Sequence, residues 1–71
     1  METRFDKRIY LPEAIREAIE AFSEVAEISF SEDSADYVVS FSGIDSIDID
    51  TIFGEFGNYA IAATKIKKNL I

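Results

Sequence analysis

Apolar and polar positions change period three times along the chain, and those changes, with one turn inside the second period-two stretch, mark the elements. Residues 4–11 alternate Phe5, Lys7, Ile9 and Leu11 against Arg4, Asp6, Arg8 and Tyr10, a period of two that predicts a strand with one mostly apolar face. Pro12 resets the chain, since proline suits the first helical turn, and Glu13 follows where a carboxylate complements the helix dipole. From Glu13 the period becomes helical. Ala14, Ile15, Ala18, Ile19, Ala21, Phe22 and Val25 share one arc, while Glu13, Arg16, Glu17, Glu20 and Glu24 share the other. Arg16 and Glu20 are spaced to pair across one turn.

Ala26, Ile28 and Phe30 then alternate with Glu27, Ser29 and Ser31, the pattern of a strand with one wet face. Residues 32–35 (Glu-Asp-Ser-Ala) are turn material, and Tyr37, Val39 and Phe41 alternate with Val38, Ser40 and Ser42, which completes a hairpin. The serines mark a sheet side that nothing large covers. Residues 44–50, I-D-S-I-D-I-D, fit a loop, a short edge strand, or the approach to a helix capped by Asp48 or Asp50. A second helix follows over 51–69, with Ile52, Phe53, Phe56, Tyr59, Ala60, Ala63, Ile66 and Leu70 on its apolar arc. Lys65, Lys67 and Lys68 occupy its last turns, where cations oppose the dipole. The expected fold is a single α+β domain over residues 1–71: strand, helix, strand, strand, helix. A three-stranded mixed sheet carries both helices on one face, and Ile9, Ile28, Phe30, Val39 and Phe41 join the helical arcs in the core.

Composition narrows the function more than any motif does. The chain holds no histidine and no cysteine, which removes the usual neutral-pH base, the thiolate nucleophile and the soft metal ligands. Carboxylate pairs could run glycoside hydrolysis only in a deep sugar cleft, which two helices and three strands scarcely form. The expectation is a non-catalytic protein with no cofactor and no metal. Asp45, Asp48 and Asp50 do not satisfy the ligand spacing of a calcium loop in any register. The G-x-x-G at Gly54 and Gly57 encloses Glu55 and Phe56, with no lysine beside it to meet a phosphate.

The net charge of −7 is unevenly spread. Between residues 9 and 64 the only cation is Arg16, against twelve acids. Such a belt repels nucleic acid and steers a basic protein or peptide inward. The charged stretch after Met1 leaves no secretory apolar region, and no run approaches the roughly 20 apolar residues that span a bilayer, so a cytoplasmic protein without membrane contact is expected.

Two surfaces are candidates for a partner. On the second helix Gly54, Gly57, Ile61, Lys65 and Lys68 line up opposite the apolar arc, so the glycines admit another backbone and Ile61 anchors it. Two glycines inside a helix cost about 1 kcal/mol each, which makes a late helix start and a tolerated exposed isoleucine the plain alternative. A sheet edge offers the second surface, by strand addition of an extended basic peptide.

The run I-Y-L-P-E-A-I-R-E-A-I-E-A-F at 9–22, V-V-S-F at 38–41, F-G-N-Y-A-I-A at 56–62 and the lysine-bearing helix resemble the small HxsD-like proteins. Those accompany radical-SAM-type enzymes in the maturation of His-Xaa-Ser peptides. The resemblance implies an accessory that assists a peptide-maturation enzyme or binds its precursor, and it carries no catalytic residue over. The alternative is a structural homodimer through helix 51–69 or a sheet edge, with no enzymatic role.

Overall fold

A computed structural model describes residues 1–43 and 49–69. The element order is β1 (Glu2–Asp6), α1 (Pro12–Ala21), β2 (Glu27–Glu32), β3 (Asp36–Ser42) and α2 (Ile49–Asn69). This is the α+β succession that the periodicity predicts. The sheet order is β1-β3-β2, and both ladders are antiparallel. The mixed sheet expected from the sequence is therefore corrected: β1 and β2 run the same way but never pair, because β3 lies between them. β3 is the most apolar strand, with Val38, Val39 and Phe41 all buried, so it takes the centre. β2 has a glutamate at each end and lies at an edge, where charge discourages stray pairing.

Register decides which side chains meet the helices. Ile28 lies opposite Phe41, Phe30 opposite Val39, and Phe5 opposite Tyr37. These residues share the face that packs against Ile15 and Ala18 of α1 and Phe56 and Ala60 of α2. Both helices thus cover one side of the sheet, as the wet serine face implied. On the open side Ser29 faces Ser40, Glu27 faces Ser42, and Val38 sits between Arg4 and Ser31.

Phe56 is the hub of the core and is fully buried. Its ring lies 5.8 Å from Phe5 of β1, 5.1 Å from Phe41 of β3 and 5.5 Å from Phe22, which follows α1. One side chain of α2 therefore touches three other parts of the fold. The Phe22 and Phe41 contacts are edge to face and the Phe5 contact is tilted; aromatic pairs of this kind add about 0.5–1.5 kcal/mol each beyond area burial.

The first strand departs most from its sequence pattern. Its ladder ends at Asp6, where the Asp6 carbonyl accepts from the Ile9 and Tyr10 amides and curls residues 7–9 into a turn. Ile9 consequently leaves the core and is exposed, and Phe5 takes the buried place instead. The turn is locked by Arg8, whose backbone amide and guanidinium both donate to the Asp6 carboxylate. Helix α1 is likewise shorter than its apolar arc: it stops at Ala21, and Val25 is exposed. Arg16 does not pair with Glu20. Its guanidinium lies over the Phe30 ring at 5.3 Å, covering the sheet edge.

The β2–β3 turn is built by Asp33, whose Oδ1 accepts from the amides of Ala35 (2.9 Å) and Asp36 (2.8 Å). Those bonds, with the Arg4 guanidinium, hold the Asp33 carboxyl down at about 2. Gly43 leaves β3 with a φ of 66°, the left-handed region that glycine reaches without strain. Residues 44–48 and the end of the 51–69 arc at Leu70 lie outside the described residues, so the strand-or-loop alternatives and the Asp45 and Asp48 part of the acidic run are not described.

Candidate functional site

Helix α2 carries more apolar surface than the core takes. Its buried line is Phe56, Ala60 and Thr64, with Phe53 packed against the cluster. At about 100° per residue, Tyr59 and Ile66 project roughly a third of a turn away from that line. Tyr59 is 42% exposed and Ile66 62% exposed, so two of the residues assigned to the core arc face outward. The sequence arc was centred too far round the helix, because Thr64 replaces Ala63 and Ile66 as the buried position of the last turns. Thr64 earns its burial by a hydrogen bond: its Oγ1 accepts from the amide of Leu11, at 3.3 Å, just before α1 begins. That amide belongs to the N-cap residue, whose own side chain makes no capping hydrogen bond.

The outward residues form a groove. Tyr59, Ala62, Ala63 and Ile66 of α2, with Glu17 of α1 and Lys67, line a hollow of about 390 Å³. Ala62 and Ala63 make its low floor, and Tyr59 and Ile66 stand one turn to either side. Lys67 Nζ reaches Glu17 Oε1 at 3.3 Å and ties the two helices together at its rim. Phe22 supports the Tyr59 wall from below, ring edge to face at 6.2 Å.

The five residues singled out from the sequence fall on the other flank of α2. Gly54, Gly57, Ile61, Lys65 and Lys68 lie about a quarter turn from the buried line, beside it rather than opposite. Ile61 and Gly57 are half-buried, while Gly54, Lys65 and Lys68 are exposed. A Cβ added at Gly54 or Gly57 would meet nothing within 4 Å. The glycines therefore admit no close approach inside the fold. Lys68 is engaged within the chain, where its Nζ donates to the Ile9 carbonyl at 2.8 Å and pins the end of α2 to the turn after β1.

Charge pairing divides the surface in two. Arg4 pairs with Asp33, Lys7 with Glu32 and Arg8 with Asp6, so the cations clustered at the start of the chain are spent on acids of β1 and the hairpin. Arg8 holds the Asp6 carboxyl down at about 2. Around the groove the balance is different. Glu13 and Glu20 flank Glu17 one turn away on α1, and Glu55 lies one turn before Tyr59. All three are exposed and make no ion pair among the described residues. The groove is an apolar floor whose own charged lining, Glu17 and Lys67, is paired; beyond it, one turn away along the helices, the three glutamates outnumber one exposed cation, Lys65, which follows Ala62 by a turn. The groove's sequence signal was present in the seven-residue spacing of Ile52, Tyr59 and Ile66, a seam distinct from the line through Phe56 and Ala60.

No family model, curated protein or solved structure matches the chain. Among the described residues, no helix is long and apolar enough to cross a membrane.

Proposed function

We propose that this protein is a small non-catalytic binding module, and that the groove between α1 and α2 is its working surface. The observation that carries the reading is the outward placement of Tyr59 and Ile66 around Ala62 and Ala63, on a helix whose opposite flank already fills the core. The reading as a binder rather than an enzyme rests on chemistry. A chain without histidine or cysteine has carboxylates, lysines and tyrosines left for proton transfer, and the two carboxylates with clearly displaced values, Asp6 and Asp33, are pushed down. Both are thereby kept ionised and tied to arginines, whereas a general acid needs a value raised toward neutrality.

The resemblance to HxsD-like proteins makes a peptide-maturation enzyme, or its precursor peptide, the partner we propose. The acidic rim gives that partner a basic contact surface. A homodimer through α2 is the second reading, favoured by the seven-residue spacing of Ile52, Tyr59 and Ile66, which suits helix pairing.

The test is capture of partners by the tagged chain from its source cells, washed at low and then moderate salt. The Ile66→Ser variant runs beside it. Recovery of one enzyme or precursor by the natural chain, reduced by salt and by Ile66→Ser, supports the module reading. Recovery that is indifferent to Ile66 removes the groove from it. A mass that rises with concentration in the pure protein, and falls back in Ile66→Ser, points to the homodimer.

A further inference from the structure

We propose that the groove takes a short, basic, amphipathic α-helix from its partner, with one bulky apolar side chain seated over Ala62 and Ala63. The inference rests on the groove being a binding surface and names what fills it.

The backbone argument decides for a helix. The walls are two helices whose N–H and C=O groups are bonded internally, so they offer an extended peptide no ladder to join. An extended occupant would bring unpaired backbone groups against an apolar floor, at a cost that a helix avoids by satisfying itself. Two antiparallel helices also present a furrow into which a third packs as ridge into groove. Helix α1 has 10 residues, about 15 Å at 1.5 Å per residue, so two to three turns of the occupant lie in contact. The Ala62–Ala63 floor between Tyr59 and Ile66 accepts a knob such as leucine or phenylalanine, in the helix-in-groove manner.

Charge decides for a basic occupant over a second copy. Two copies would bring together chains of net −7 each, with Glu13, Glu20 and Glu55 of both around one apolar contact. Among the described residues the one cation lining the groove, Lys67, is already paired with Glu17, and Lys65, one turn past Ala62, is a single positive charge against those three glutamates. Lysines or arginines one turn from the knob would instead meet those three glutamates, which lack ion-pair partners among the described residues.

The test is titration of the full ¹⁵N-labelled chain, followed by NMR, with two synthetic peptides of about 14 residues, or about four helical turns. They share one amphipathic leucine pattern. One carries lysine on its polar face and the other glutamate. The natural chain and Ile66→Ser are both titrated, and the natural chain is also concentrated alone. The expected result is that the leucine–lysine peptide moves the amides of Ala62, Ala63 and Ile66. Its Kd should rise about tenfold in Ile66→Ser, which loses a large exposed apolar contact. The variant's own spectrum checks that the fold is intact. Equal binding of the leucine–glutamate peptide, or groove shifts produced by concentration alone, would overturn the basic-helix inference while leaving the groove a binding surface. Leucine–lysine binding that ignores Ile66 and moves only exposed glutamates would overturn it as non-specific charge attraction. Groove amides that respond to no peptide and to no concentration would bring down the inference and the groove reading together.

Discussion

Replacing Gly54 and Gly57 with alanine should make this protein more stable, and the size of the gain can be worked out. Both glycines lie inside α2, neither has a positive φ, and a Cβ at either position meets nothing within 4 Å. Alanine therefore takes the same backbone without a clash. A helix-interior glycine costs about 1 kcal/mol relative to alanine, much of it through the greater freedom of the unfolded chain. Gly54 is close to the first turn, where helices fray, so its share is smaller. Together the two changes should give about 1.5 kcal/mol. For a chain of 71 residues the total stability is roughly 4–10 kcal/mol, so this is a large fraction of it. At about 4–8 °C per kcal/mol for domains of this size, the double variant should melt about 6–12 °C higher. Circular dichroism melts and urea titrations, run at two protein concentrations, measure it. An unchanged or lower melting temperature with full helicity would refute the reasoning, because it would mean that something already stands where the new methyl groups go. Dependence of that loss on concentration would identify the obstacle as a second chain, approaching along the Gly54, Gly57 and Ile61 flank. A stabilised variant that no longer captures its partner would instead assign the glycines to that partner's backbone.

The other predictions concern the core, the helix junction and acid. Phe56→Ala should cost about 3–5 kcal/mol and unfold most of the population, whereas half-buried Phe22→Ala should cost about half as much and leave a folded, less stable domain; urea midpoints separate the two. Thr64→Val keeps the shape but removes the acceptor for the Leu11 amide, and should lower stability by about 1 kcal/mol in the same assay, with that amide exchanging its hydrogen faster. Asp33 binds its proton more weakly when folded, at about 2, than an ordinary carboxylate in the unfolded chain, so its contribution is complete above about pH 4 and disappears as the pH falls toward 2. Asp33→Asn retains the acceptor oxygen for the Ala35 and Asp36 amides but no longer titrates, so the melting temperature of the variant should fall less between pH 4 and pH 2 than that of the natural chain.

Most of the fold is legible in the sequence because its elements are strongly periodic and punctuated. Pro12 starts α1, Asp33 turns the hairpin, and the alternation through Phe41 separates the covered face from the serine face. Two things were not legible, for different reasons. Alternation continued past Asp6 to Leu11, so nothing local revealed that Arg8 would fold back on the Asp6 carboxylate and end the strand. That capture is a contact between side chain and backbone, and it moved Ile9 out of the core and Phe5 in. Strand order was hidden as well. A strand, a helix and a hairpin are compatible with either ladder beside β1, and only the apolar character of both faces of β3, Val38 on one and Val39 on the other, favours it for the centre.

The rotation of α2 links the missed core position to the candidate site. A helix with apolar residues around more than half its circumference has several ways to lie on a sheet, and hydrophobic pattern alone does not choose between them. Phe56 chooses. Its ring is the only one on α2 that reaches Phe5, Phe22 and Phe41 together, so turning the helix to bury Tyr59 and Ile66 would break three aromatic contacts to gain one exposed face. Thr64 enforces the same orientation from the far end, since turning it outward would leave the Leu11 amide without its partner at the start of α1. Once both ends are fixed, Tyr59, Ala62, Ala63 and Ile66 have no place in the core. The groove is thus a consequence of how the hydrophobic core is satisfied. Its acidic rim does not follow from that requirement: lysines at positions 13, 20 and 55 would leave the same core intact. Glu13 also complements the dipole of α1 from its first turn, so Glu20 and Glu55 are the carboxylates that folding does not explain, and they are what a basic partner would recognise.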